Sequence, residues 1–176
     1  VQTRYENPDT ILAKIVNYAG STGLHVICGT GWYAASSHPA IVKEKSADEL
    51  AAIMVKEIKE GIGKTGIRAG VIGEIAMSGR NSREPFFPDE EKVLRAAARA
   101  QARTGAALTV HPNPAGRHWQ TYLDILEEEG ANLGKCYLSH MEMFWPDLEY
   151  HKAVLARGVY VSYNQFGHEE YFDSLA

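Results

Sequence analysis

Ala107-Leu108-Thr109-Val110-His111 and, one helix further on, Cys136-Tyr137-Leu138-Ser139-His140 decide how this chain folds. Each is a short apolar run that ends in histidine. Before them, Val71-Ile72-Gly73-Glu74-Ile75 brings a carboxylate to the end of the same kind of run. Runs that are apolar throughout, rather than alternating, mark strands buried on both faces, as in the parallel sheet of an α/β domain. Three successive strands therefore each deliver one metal-ligand type of side chain where they finish.

Helical patterns fill the intervals. Pro8 with Ile11, Leu12, Ile15 and Val16 predicts a helix over about 8–20, followed by a strand from Leu24 to Cys28. Gly29-Thr30-Gly31-Trp32-Tyr33 then opens a loop through His38 and Pro39. Ser46 with Glu49 three residues on is a capping-box signature, and it opens a helix over 47–60. A strand over 69–75 leads to a polar loop, Ser78 to Pro85, read as flexible. Asp89 to Thr104 is a long helix with acids in its first turn and basic residues later, which matches the helix dipole. Strand 106–111, helix 117–129, strand 135–140, helix 147–157 and strand 159–164 complete the alternation, and one more helix begins near 168. Glu127-Glu128-Glu129 reads as a solvated face.

Five strands separated by helices suit either a doubly wound sheet or a (β/α)8 TIM barrel. No Gly-x-Gly-x-x-Gly or phosphate loop follows a strand. Ligand-type residues instead gather at the C-terminal ends of the strands, where barrel enzymes carry their chemistry. The expected fold is thus α/β, a TIM barrel. Five strands cannot close a barrel that takes eight strands and about 250 residues. Residues 1–176 are expected to form a single partial barrel domain of about five βα units.

At 176 residues, 45% hydrophobic and 23% charged, the composition is that of a globular domain rather than a disordered chain. A net charge of −4 without any Lys/Arg cluster argues against nucleic acid and a membrane surface. No apolar run approaches the roughly 20 residues of a membrane span, and residues 1–8 lack the pattern of a secretory signal. Cys28 and Cys136 lie in separate predicted strands without zinc-knuckle or redox spacing, so both read as buried free thiols. That suits a reducing, cytoplasmic setting.

Imidazole nitrogen and carboxylate oxygen together suit zinc, manganese or another borderline divalent ion. Glu74, His111 and His140 are the candidate ligands. A single histidine at a strand end often just bonds a loop; the conjunction of three on successive strands is what favours a metal. Tyr33, either pocket wall or oxyanion donor, and Trp32, Asn164 and Phe166 are candidates for substrate contact, with plain packing the competing role for each. Glu142 and Trp145, just past His140, are candidates to shape the surroundings of the ligands. His25, His38, His118 and His151 read as surface or loop residues.

The strand ends resemble those of the phosphotriesterase-related family of the amidohydrolase superfamily. The matching pieces are Gly29-Thr30-Gly31-Trp32-Tyr33, Gly70-Val71-Ile72-Gly73-Glu74-Ile75, the helix opening at Asp89-Glu90-Glu91-Lys92-Val93-Leu94, Val110-His111-Pro112, Leu123-Asp124-Ile125-Leu126, Ser139-His140-Met141 and Phe166-Gly167. They fall in family order across nearly the whole chain. The resemblance implies a metal-dependent barrel in which this chain runs from about the third strand to the seventh. It would lack the His-x-His of the first strand and the Asp of the eighth. Where well-known members carry a carboxylated lysine on the fourth strand, Glu74 stands here, as in a glutamate-bridged sub-branch. Glu142 and Asn164 occupy places where Asp is frequent.

The resemblance further implies two divalent ions per complete barrel, zinc foremost. The reaction it implies is hydrolysis of an ester, lactone, amide or phosphoester by a metal-activated water, with Glu74 as the bridging carboxylate. The expected partner is a small-molecule substrate, with a homodimer of the full-length protein as the oligomer to test for. This piece alone is expected to be inactive or nearly so. Two other readings stand beside it. A metal-free glycosidase would use Glu74 and Glu142 as acid and base, and would leave the histidines idle. A non-catalytic binding protein would use the same scaffold.

Overall fold

Every strand of the sheet pairs in parallel with its predecessor in the chain. In the computed structural model, which describes residues 8–79, 81–113 and 115–165, these strands are β1 (Gly29–Thr30), β2 (Val71–Ala76), β3 (Ala107–His111), β4 (Cys136–Leu138) and β5 (Tyr160–Val161). Their order across the sheet is β1-β2-β3-β4-β5. A doubly wound sheet reverses direction at a switch point. This one advances steadily, as a barrel wall does. Right-handed crossovers in a steadily advancing sheet put every helix on the same face.

The helices are α1 (Pro8–Thr22), α2 (Ala40–Glu44), α3 (Ala47–Lys59), α4 (Pro88–Thr104), α5 (Trp119–Glu128) and α6 (Leu148–Leu155). Ser46 caps α3 with the reciprocal bonds of a capping box, as its spacing predicts. The alanines of α4, Ala96, Ala97, Ala98 and Ala100, are fully buried. Their small side chains let α4 lie close to the sheet, and α4 packs against both α3 and α5. Ile72, Ile75, Leu108, Val110 and Leu138 meet it from the strands in one apolar core. A smaller cluster of Leu12, Cys28, Ile62 and Ala69 seats α1.

Four expectations change. The run from Leu24 to Cys28 does not pair; only Gly29 and Thr30 do. Leu24 and Ile27 are about two-thirds exposed, because β1 is an edge of the sheet and no strand covers its outer side among the described residues. The stretch after Pro39 contains α2, too short to leave a periodic signal. Glu127, Glu128 and Glu129 are not simply solvated: Glu129 is held by Arg95 and Arg99, Glu128 by Arg95, and Glu127 by Arg157. The described part of the loop from Ser78 to Pro85 is anchored at Ser78, Glu84 and Pro85. The helix expected from 168 lies outside the described residues, as does Phe166.

Candidate metal centre

Glu74 leaves the sheet at an irregularity. The register of β2 against β3 matches Ile72 with Leu108 and Ile75 with Val110, so two residues of β2 face one of β3. Gly73 and Glu74 occupy this bulge. Gly73 has φ +124, and a Cβ there would stand 2.4 Å from Thr109 Cγ2 and 2.7 Å from Thr109 O. Only glycine fits. The kink turns Glu74 towards the ends of β3 and β4, a use to which bulges beside functional sites are often put.

There it meets both histidines. Glu74 Oε2 lies 3.3 Å from His111 Nδ1, and Oε1 lies 3.5 Å from His140 Nε2. The two imidazoles stand 4.5 Å apart, edge to face. One ligand atom from each of the three residues falls within 4.8 Å of the others, and no other such group occurs among the described residues. Two ligands held 2.0–2.1 Å from one tetrahedral ion are about 3.4 Å apart. The two carboxylate–imidazole distances match that spacing, so the donor set fits a divalent cation. Each oxygen of Glu74 faces a different ring.

The surroundings hold these groups in place. Burial pushes the Glu74 carboxyl up, but the hydrogen bonds from His111 and Ser139 and the charges of both histidines outweigh it, so Glu74 lies below its ordinary value. Ser139 Oγ donates to Glu74 Oε1 and also bonds Val110 O. The Gln165 amide meets His140 Nδ1 at 3.0 Å, which leaves Nε2 for the centre. His140 N–H donates to Asn164 Oδ1 at 3.3 Å. His140 itself has φ +55, a left-handed conformation rare outside glycine. Strain of that kind persists where the surrounding structure imposes it, often at functional sites.

The remaining candidates separate. Tyr33 belongs here: its hydroxyl is 3.4 Å from His111 Nδ1 and its ring stands edge-on to that imidazole. Trp32 is 2% exposed and packs in the core, the packing alternative rather than the pocket wall. Glu142 is buried, with Oε1 3.9 Å from His140 Nδ1, while Trp145 lies on a cavity wall further out. Glu142 lies on the Nδ1 side of the His140 ring while Glu74 meets Nε2, so the imidazole stands between the two carboxylates. His25 is exposed, and His38 and His118 are half-buried in loops. His151 is not a surface residue: it is 3% exposed, and its Nδ1 lies 2.5 Å from Tyr163 Oη. Cys136 is no rival ligand, since burial pushes its thiol up to about 12.

Sequence reasoning missed Ser139, Gln165 and Glu90. Ser139 stands beside His140 inside a matching motif and was findable. Gln165 gave no signal. Glu90 read as a dipole-matching acid at the start of α4; instead it is fully buried, accepting from the backbones of Ala35, Ser78 and Phe87.

The chain and its fold have known counterparts. The model of the phosphotriesterase family matches residues 9–174. The chain belongs to the phosphotriesterase family. The N-acetyltaurine hydrolase of Mus musculus is 35% identical over 170 residues, covering 93% of this chain and 47% of that protein. A resiniferatoxin-binding protein from Rhodobacter sphaeroides has a similar structure, with TM-score 0.83 and 38% identity over 92% of this chain and 43% of that one. The phosphotriesterase homology protein of Escherichia coli follows at TM-score 0.78 and 30% identity, over 90% of this chain and 52% of its own. The chain thus spans about half the length of the phosphotriesterase-family proteins it matches. Homologues in this family are hydrolases, and the parallel α/β architecture is the one these barrels share.

Proposed function

We propose that the chain carries the central wall of a binuclear metal-dependent hydrolase. Glu74, His111 and His140 hold a divalent ion, zinc by preference, with Glu74 shared with a second. The observation that carries this is the convergence of three donors within 4.8 Å at the ends of consecutive parallel strands. An ion held there supplies a water of pKa about 7 and polarises the scissile oxygen. The chain's own residues do the rest. Ser139 orients the Glu74 carboxylate, and Gln165 and Asn164 fix the ring and backbone of His140. Tyr33 faces the same centre with a hydroxyl able to donate to a developing oxyanion.

The substrate class we propose is a small ester, lactone, phosphoester or amide, the amide favoured by the similarity to N-acetyltaurine hydrolases. We further propose that residues 1–176 are one partial barrel domain, inactive alone for want of the ligands that the rest of the barrel supplies. The setting proposed is the cytoplasm, where Cys28 and Cys136 stay reduced. No helix among the described residues is long and apolar enough to cross a membrane. The complete protein is taken as a possible homodimer that binds neither nucleic acid nor membrane.

Metal analysis after dialysis against zinc tests this. The complete protein should retain two equivalents and hydrolyse an N-acyl amide or aryl ester. Glu74→Gln, His111→Ala and His140→Ala should each lose metal. A second reading, a binding protein on the same scaffold, is favoured by the 38% identical structure described as resiniferatoxin-binding. It predicts ligand binding without bound metal or turnover.

A further inference from the structure

The two nitrogens of His140 face two different carboxyl groups. Nε2 lies 3.5 Å from Glu74 Oε1, on the side of the centre, and Nδ1 lies 3.9 Å from Glu142 Oε1. Glu142 is 4% exposed, and among the described residues neither of its oxygens accepts a hydrogen bond. Tyr163 is also in range, since burial and then the Glu142 charge push its hydroxyl up, but that hydroxyl is held by His151 Nδ1 at 2.5 Å. A carboxyl shut away from water without a donor destabilises a fold. Where one persists it calls for an explanation, and function is the common one.

The hydrogen bonding of His140 shows which donor Glu142 is placed to receive. Gln165 Nε2 stands 3.0 Å from His140 Nδ1. An amide nitrogen only donates, so Nδ1 accepts here and the hydrogen of the neutral ring sits on Nε2, facing Glu74. A ligating nitrogen cannot keep that hydrogen. When Nε2 gives its lone pair to a divalent ion, the hydrogen belongs on Nδ1, and the Gln165 N–H then points at another N–H. Nδ1–H needs an acceptor, and Glu142 Oε1 faces it with no other bond to give up. At 3.9 Å the pair is too long for a hydrogen bond. Contacts of this kind often tighten only when the site is loaded.

We propose that Glu142 is the positioning residue that accepts from His140 Nδ1–H in the metal-loaded protein and so selects the ligating tautomer. The inference rests on the metal-centre reading and deepens it: loading the centre gives a buried carboxyl the partner it otherwise lacks. Outer acceptors on ligating histidines typically change metal affinity by about 10–100-fold.

The test is the zinc affinity of the complete protein, read by competition with a chelating indicator, beside urea denaturation of the metal-free form. Glu142→Leu removes the acceptor at similar volume and should weaken zinc binding by about 10–100-fold. Without metal it should be at least as stable as the parent, because an apolar group replaces an unpartnered polar one. Glu142→Gln keeps one acceptor oxygen, so its zinc affinity should fall between the two. A residue that only packs would lose stability and metal together. Unchanged zinc affinity in Glu142→Leu overturns the assignment, as does a Glu142→Gln that binds no tighter than Glu142→Leu. A metal-free Glu142→Leu that is destabilised or does not fold also overturns it, since the carboxyl then has a partner before metal arrives. Gln165→Leu is the control: if it loses zinc and Glu142→Leu does not, a turned-over Gln165 amide is the acceptor instead. A parent that retains no zinc sinks the metal-centre reading and this role with it, whereas equal retention in parent and Glu142→Leu sinks the role of Glu142 alone.

Discussion

Glu90 shows how much of the centre depends on residues that never touch it. Its carboxylate is fully buried and accepts from Ala35 N–H, Ser78 N–H and Phe87 N–H, each at 2.9 Å, and from Ser78 Oγ. It ties the loops after β1 and β2 to the start of α4. Glu90→Ala orphans these donors at once, and should cost about 3 kcal/mol or more in urea denaturation. Glu90→Gln keeps one acceptor oxygen and should cost less. Gly73→Ala is the second test at this scale. The added methyl meets Thr109 at contacts no real Cβ shows, on a backbone with φ +124. A loss of about 2–4 kcal/mol should follow, with zinc retention lost as Glu74 is displaced. Glu74, His111 and His140 were legible because a strand end is a local feature of sequence. Glu90, Ser139 and Gln165 were not assigned roles, because the contacts that give them roles are mostly distant in sequence: Ser139 reaches Glu74 from 65 residues away and Glu90 reaches Ala35 from 55.

The helices illustrate the same division between local and long-range causes. The capping box of α3 was readable to the residue, since all its parts lie within Ser46–Glu49. Ser46→Ala should cost about 1 kcal/mol, read as a lowered urea midpoint. The acidic end of α5 is solvated at Glu127 and Glu128, as read, but its ion pairs were missed because the partners are on other elements. Glu129 Oε2 accepts from Arg99 at 2.6 Å and Oε1 from Arg95 at 2.9 Å, so α5 is clamped to α4. The hydrogen bonds from Arg99, outweighing burial and joined by those from Arg95, hold the Glu129 carboxyl below its ordinary 4.5. A depressed carboxylate stabilises the fold fully above its unfolded value and loses that contribution as pH falls through its folded one. Melting temperature should therefore fall as pH drops from about 5 towards 3. Glu129→Gln should start lower, by about 1 kcal/mol of stability, and show a shallower decline. An unchanged slope would remove the clamp from the account.

At the scale of the whole molecule, the steady order β1 to β5 is the property that decides between barrel and doubly wound sheet. It was inferred correctly from where ligand-type residues fall. The extent of the edge strands was not, because apolar residues read as a strand whether or not a partner is present to pair with them. Among the described residues the advancing sheet does not close and has two edges, both with exposed apolar side chains. Leu24 and Ile27 are 67% and 69% exposed beside β1, and Tyr160 in β5 is 66% exposed with Leu155 nearby at 46%. Unpaired parallel edges with apolar side chains are templates for pairing with another chain. Solutions of residues 1–176 should therefore show concentration-dependent association in sedimentation experiments. Charge at an edge opposes such pairing, so Ile27→Lys with Tyr160→Lys should shift the distribution towards monomer. Neither residue belongs to the core, so the double variant should keep its circular dichroism spectrum. If the variant associates as strongly as the parent, the open edges are not the adhesive surfaces, and the exposed Val16 and Tyr18 side chains of α1 become the next to test.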